Sequence, residues 1–340
     1  MTLRPRVVCR SVAVAAVAGF IVMPGAGRSG LPGAGVVLDA AAPVPAGVRP
    51  QDDQGARVTR TIKVGPHSSL TLSNIAGNIS VTGGGGDAIR IDAVKHAGGG
   101  SAARFNDVRV DIAEHGNRVE VRTLPFGGEH SSVDYTVTVP ADTAVYLRSV
   151  SGNVTVTRVQ GGVRADSVSG NVTADATAHL DRLRSVSGNV DIRGASSDTD
   201  LATGSISGRV TIHGLKAQGL DVSTISGNLT LDGVTCDHLT VRTVSGEVRY
   251  AGPLARNGRY EVTSHSGDVH LVLTGDPGFE LNASSFSGDI TSQFPIAMHD
   301  TGEDHGRFGP LRHAIRGTYG DASALLTIRT FSGNITLRRR

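Results

Sequence analysis

The chain has 340 residues, of which 45 are glycine and none tryptophan; aromatics make up 4%, hydrophobic residues 39%, and the formal net charge is +2. Glycine at nearly twice ordinary usage with so few rings excludes a large aromatic-anchored core. The apolar content excludes disorder along most of the chain, and glycines without a three-residue period exclude collagen.

Residues 1–42 read as an export signal with its cleavage region. Arg4, Arg6 and Arg10 precede an apolar run at 12–23. That run is shorter than the roughly 20 residues an unaided membrane helix needs and suits a secretory signal. Small-residue stretches at 25–27 and 40–42 both offer cleavage sites, and an uncleaved N-terminal anchor is the alternative. Removing residues 1–42 takes four of the 33 basic residues and one of the 31 acids, leaving 29 against 30 and a net charge of −1. The basic excess is therefore no nucleic-acid footprint. Cys9 leaves with the signal and Cys236 stands alone, so no intrachain disulfide is expected, and the mature chain is expected to have no membrane span. Residues 43–56 read as a linker.

Residues 57–140 read as an N-terminal strand or cap section. Val108-Arg109-Val110-Asp111-Ile112 and Arg118-Val119-Glu120-Val121-Arg122 alternate around Glu114-His115-Gly116-Asn117, a hairpin signal. Residues 133–140 form another alternating strand. The glycine runs at 83–86 and 98–100 read as flexible loops.

From residue 141 to 340 the dominant signal is self-similarity. A Ser-Gly-Asn motif or a close variant recurs with glycine at Gly152, Gly170, Gly188, Gly208, Gly227, Gly246, Gly267, Gly288 and Gly333, and Ala76-Gly77-Asn78 is an earlier copy. The spacings are 18, 18, 20, 19, 19, 21, 21 and 45 residues. The last gap reads as one coil interrupted by a loop insertion at 296–316.

With each glycine at position zero, positions −7, −5, −2, +2 and +4 are apolar in 46 of 50 cases. The exceptions are Asp181, Thr203, His265 and Ser292. Steps of two are strand periodicity, and the odd step from −5 to −2 requires a bend or bulge. The −2 row is taken as inward, which makes His265 a hydrogen-bonded core residue. Position −3 is Ser or Thr in nine of ten units, a short hydroxyl suited to a crowded corner. The glycine supplies either an unusual φ or room for close backbone approach. Asn at +1 can cap turn amides or stack between coils. Such units cannot bury an apolar face alone but share a core when stacked. The expected fold is all-β: a β-solenoid, a β-helix-like stack of ~20-residue repeats with an antiparallel N-terminal section.

Units such as Leu147-Arg148-Ser149-Val150-Ser151-Gly152-Asn153-Val154 resemble the bacterial adhesin-type β-strand-repeat family, a domain of unknown function in exported proteins. The lead-in strand at 133–140 and the ending at 326–340 fit the same resemblance, which spans roughly residues 60–340. It implies a β-solenoid with a surface-associated role, and it brings no catalytic residues.

Few residues point to chemistry. The 296–316 segment gathers His299, Asp300, Glu303, Asp304, His305 and His313, but the six-residue spacing of His299 and His305 matches no structural zinc site. The segment reads as a contact loop, with His299 and His305 as candidate surface contacts. Asp175 and Asp191, at +5 and +3 of adjacent units, are placed on opposite strand faces and so form no catalytic pair. Asp166 and Arg184, both at −4, read as a surface ion pair. No Gly-x-Ser-x-Gly elbow occurs, and no cofactor, metal or nucleic-acid partner is implied. Position +3 is outward and is Thr in six units: Thr155, Thr173, Thr211, Thr230, Thr291 and Thr336. This row could meet a repetitive partner such as glycan, ice or mineral, although strand propensity alone also favours threonine there. The expectation is an exported, non-enzymatic, surface-associated structural or adhesin-like protein meeting a cell-surface glycan or an envelope protein. The alternatives are a polysaccharide hydrolase or lyase and an envelope scaffold without external ligand.

Overall fold

The glycine-centred register turns directly into stacked coils. In the computed structural model, which describes residues 57–96, 108–125, 131–275, 278–299 and 313–340, each unit lays one strand before its glycine and one after it. Lys216–Ser226 and Leu229–Asp232 are such a pair. The expected signal and linker (1–42 and 43–56) lie outside the described residues, as do 98–100 and 300–312.

Strands before the glycines join into a 14-stranded sheet and strands after them into a 13-stranded sheet. Neighbouring coils pair in parallel and in register, so like positions stack: Val172 on Val190, Val190 on Val210 and Val210 on Leu229. The inward faces of both sheets supply the core. In the Gly227 coil, Val222, Leu229 and Leu231 are fully buried. A further inward row at +7 (Val159, Ala195, Leu215, Val234) lines the return. Its coils are also hydrogen-bonded, Ser196 N donating to the Thr177 carbonyl at 2.9 Å and Thr235 N to that of Leu215 at 2.9 Å. This is the expected β-solenoid.

Two exceptions to the apolar frame are resolved locally. A bulge between Val163 and Arg164 lets Leu180, instead of Asp181, fill the inward place. Thr203 stays buried by donating to the Leu183 carbonyl at 3.0 Å.

Both ends of the stack depart from simple winding. At the start, the Gly77 coil packs directly on the Gly152 coil. Flanking strands cover this end. On one sheet lies the antiparallel hairpin Val108–His115 and Arg118–Pro125, whose second strand runs parallel to Ser69–Ala76. On the other lie Arg57–Lys63, from before the first coil, and Ala88–His96, which runs antiparallel both to Arg57–Lys63 and to Ser132–Pro140. Gly83 and Gly84, expected in a loop, belong to the strand Ile79–Gly84 and partner Val139 and Pro140.

At the far end, the last repeat does not sit last. Ala324–Ser332 pairs in parallel with both Arg259–Ser266 and Phe279–Ser287, so the Gly333 coil lies between those of Gly267 and Gly288. The chain leaves a space one coil wide and returns to fill it. The ends of the 296–316 segment are strands, Ala297–Met298 and His313–Tyr319. The second runs antiparallel to Phe279–Ser287 and covers that edge. Phe279, Phe294 and Tyr319 close this end of the core, their ring centroids 5.0–5.5 Å apart.

The corner at each glycine overturns the expected direction of the −2 row. The −3 residues point inward and are buried, whereas nine of the ten −2 residues are large apolar side chains that point out: Ile75, Val150, Val168, Val186, Ile206, Ile225, Val244, Phe286 and Phe331, each 38–51% exposed. Only a short side chain fits inside, because the glycine columns of adjacent coils nearly touch. A Cβ on Gly188 would lie 2.0 Å from the Gly170 carbonyl oxygen, and the same holds at 2.0–2.2 Å for each later member of the column. Asn residues at +1 continue the stacking. Asn171 N donates to Asn153 Oδ1 at 3.0 Å and Asn189 N to Asn171 Oδ1 at 2.9 Å.

Candidate functional site

The outward +3 positions fall into one hydrogen-bonded register. Thr155 partners Thr173, Thr211 partners Thr230, and Thr336 partners Thr291. Asp191 separates the first pair from the second, and Arg249 with His270 separates the second from the third. The hydroxyls project from a parallel sheet whose opposite face is locked in the core, so their positions are fixed by the fold. All are half-buried except Thr291, which is exposed.

The same row runs on through Ser80 of the Gly77 coil and, beyond the motif-bearing coils, through Thr136, Asp92 and Thr59. The sequence ruler misses the last three because their strands carry no Ser-Gly-Asn. Alternation alone marks them. The Arg57 guanidinium donates to Asp92 through Nε at 2.7 Å and also through Nη2. That contact holds the Asp92 carboxyl below the ordinary range.

The Arg249–His270 interruption carries the densest chemistry on this face. Glu247 bridges both: its carboxylate lies 2.8 Å from Arg249 Nη2 and 3.2 Å from His270 Nε2. His213 and Asp232 lie alongside at 3.6 Å. With Thr230, Thr336 and Arg338 they line an open depression of about 450 Å³. Its floor carries donors and acceptors of both signs beside apolar lining from Leu231, Ala251, Leu271 and Val272.

Several other expectations are corrected. Asp175 and Asp191 share the outward face, since +3 and +5 have the same parity. Arg193, the register partner of Asp175, lies 3.7 Å from the Asp191 carboxylate. Asp166 and Arg184 are register partners, but the ion pairs beside them run between other positions, Arg164–Asp181 at 3.2 Å and Arg242–Asp221 at 3.3 Å. His265 is an exposed ring stacked on Phe331, centroids 5.0 Å apart and planes 10° from parallel, not a core residue. His299 is exposed at the end of a short strand, where its amide donates to the Arg316 carbonyl at 3.0 Å; His305 lies outside the described residues. Among the described residues, no three His, Cys, Asp or Glu side chains converge on a metal-sized space.

The family model described as Toastrack DUF4097 matches residues 67–338. Among solved structures, a candidate lipid-binding protein from Parabacteroides distasonis ATCC 8503 is similar at 13% identity, covering 84% of this chain and 97% of its own, with a TM-score of 0.47. A candidate adhesin from Bacteroides fragilis NCTC 9343 is similar at 14% identity over 86% and 100% of the two chains, TM-score 0.41. Another from Parabacteroides merdae ATCC 43184 reaches 11% identity over 84% and 97%, TM-score 0.33. No curated protein matches the chain.

Proposed function

The chain belongs to the Toastrack DUF4097 family, and from that premise we propose that it is an exported, surface-associated module without catalytic activity, built to adhere through an array of polar groups. The observation that carries this reading is the in-register +3 row, in which three threonine pairs flank the Glu247–Arg249–His270 cluster. Repeated hydroxyls at about 4.8 Å intervals favour a partner that is itself repetitive, such as a cell-surface glycan. Each contact is weak, and affinity comes from engaging several coils at once.

The non-enzymatic part is supported by the partners of the carboxylates. Glu247, Asp191 and Asp232 each lie against a basic side chain on the same sheet, at 2.8, 3.7 and 3.6 Å, whereas glycoside hydrolysis uses two carboxyl groups that face each other across the scissile bond. The exposed His299, next to the edge of the 14-stranded sheet, is a separate candidate contact at that end of the stack. A glycan array on the wild type and on the Thr211→Lys, Thr230→Lys double variant tests the reading. Binding should appear on the array and vanish in the variant. Retained binding by the variant removes the row from the mechanism, and turnover of any bound glycan ends the non-enzymatic reading.

A further inference from the structure

The outward −2 row is not used by the reading above, and the fold does not require it to be apolar. Nine of the twelve large apolar side chains exposed among the described residues lie in this single line. Strand propensity does not account for it. Position −4 is outward on the same strands, yet it carries Arg148, Asp166, Arg184, Ser223, Arg242 and Arg329 and no large apolar side chain in any of the ten coils. His265 takes the −2 place in one coil, so a polar side chain is accommodated there. At about 4.8 Å per coil the line runs roughly 40 Å. Contiguous exposed apolar surface of that extent marks an interaction site.

The neighbouring charges identify what meets it. The −4 row beside the ridge holds four exposed arginines (Arg148, Arg184, Arg242, Arg329), of which Arg242 is paired with Asp221, against one carboxylate in the row, Asp166. Across the corner, the +1 row is Asn from the Gly77 coil to the Gly227 coil, apart from Arg209; its acids begin at Glu247. The stretch from Ile75 to Ile225 is thus an apolar edge flanked by Arg148, Arg184 and Arg209, by one carboxylate, Asp166, and otherwise by neutral side chains. A second copy fits poorly, because pairing two such edges would bring arginine rows together. A ridge one side chain wide also falls short of the roughly 800 Å² per partner of a standard interface. In the aromatic part, Phe286, Phe331 and His265 stack face to face at 4.8 and 5.0 Å, so the middle ring presents its edge and offers no face to a sugar.

We propose that this corner is a lipid-docking edge: the solenoid lies along a bilayer, the −2 side chains enter the headgroup–acyl boundary, and the −4 arginines meet anionic headgroups. A deformable interface accepts a narrow ridge, and apolar insertion with basic flanks is the usual recipe for peripheral binding. The 13-stranded sheet's outward face then remains free for other partners.

The test uses the full chain carrying Cys9→Ser, with a polarity-sensitive dye placed on Val168→Cys or Ile225→Cys; Cys236 is buried. Thr211→Cys, on the other sheet, is the reference. With vesicles of equal phosphatidylglycerol and phosphatidylcholine, the dye should shift to the blue at 168 and 225 but not at 211. Adding Arg148→Gln and Arg184→Gln should raise the half-saturating lipid concentration roughly tenfold or more at low salt. The site-resolved readout separates docking through the ridge from attraction by any other segment. Equal shifts at all three sites, no shift at the ridge, or an equal response to phosphatidylcholine alone would overturn the proposal. A shift at the ridge on raising protein concentration without lipid would overturn it in favour of a second copy. Val168→Ser with Ile225→Ser, read through dye on Val186→Cys, gives an independent check: far-UV circular dichroism should be unchanged and the lipid-induced shift lost, and an undiminished shift counts against the ridge.

Discussion

A Cβ built on Gly208 would sit 2.0 Å from the carbonyl oxygen of Gly188, one coil away. Gly208 does not share the left-handed φ of Gly152 (134°) or Gly246 (151°). Close backbone approach is therefore what the whole column has in common. Gly208→Ala must separate two coils hydrogen-bonded on both sides. We expect it to cost at least about 3 kcal/mol, measured by urea unfolding. Gly85→Ala, with no atom within 4 Å of the added carbon, should stay within about 0.5 kcal/mol of the wild type. Equal effects at the two sites would remove the column from the argument.

The −3 hydroxyls inside this corner are not equivalent. Ser205 Oγ donates to the Gly188 carbonyl at 2.8 Å and accepts from Gly208 N at 2.9 Å. Ser205→Ala strands both partners and should cost about 1–3 kcal/mol. Thr243 Oγ1 is buried without a hydrogen-bond partner among the described residues. Thr243→Val keeps the shape and removes a desolvated polar group, so it should be neutral or stabilising by about 1 kcal/mol. A destabilised Thr243→Val with an unaffected Ser205→Ala would reverse this assignment.

The motif spacing alone was enough to read the stacking, since each coil repeats the same inward frame and its neighbours must share a core. It did not reveal which way the corner faces. Apolar character at −2 reads as burial, but the glycine contact leaves inward room only for the −3 hydroxyl, and that contact is a tertiary fact. The crossover of the Gly333 coil was equally hidden: Gly267, Gly288 and Gly333 carry the same motif, so nothing local orders them in space. The polar face was more legible. Thr155 through Thr336 fall on one row as parity requires, and the same parity puts Asp175 and Asp191 on that outward face.

A second corner escaped the ruler because its glycines are incomplete. Position +6 has φ of 55°, 66° and 64° at Gly194, Gly214 and Gly233, and the same left-handed backbone occurs at Arg158 (54°) and Ala176 (48°). A side chain with a Cβ carries a cost of about 1–2 kcal/mol there, partly offset by its stiffer unfolded chain. Ala176→Gly should therefore raise stability by about 1 kcal/mol, read from the midpoint of thermal or urea unfolding. A loss of stability would show that packing of the Ala176 methyl outweighs the backbone.

Burial of titratable groups in the core predicts failure at high pH. Desolvation pushes Cys236 and Tyr135 each up to about 12. It does the same to Tyr260, also to about 12, and raises Tyr250 further. Two of these hydroxyls are held by the backbone, Tyr260 donating to the Cys236 carbonyl and Tyr250 to that of Pro253, both at 2.8 Å. The folded state thus keeps protons that the unfolded chain releases from its ordinary values of 9.0 for Cys and 10.0 for Tyr. Stability should be full below pH 9 and fall progressively from there toward pH 12, by up to about 1.4 kcal/mol per pH unit for each group released. Urea unfolding at pH 7, 9, 10 and 11 measures this. Cys236→Ala should make the decline between pH 9 and 10 shallower, because in the unfolded chain the thiol titrates ahead of the tyrosines. A stability that stays level to pH 11, or a decline between pH 9 and 10 that the substitution leaves unchanged, would show that these groups exchange protons without unfolding the core.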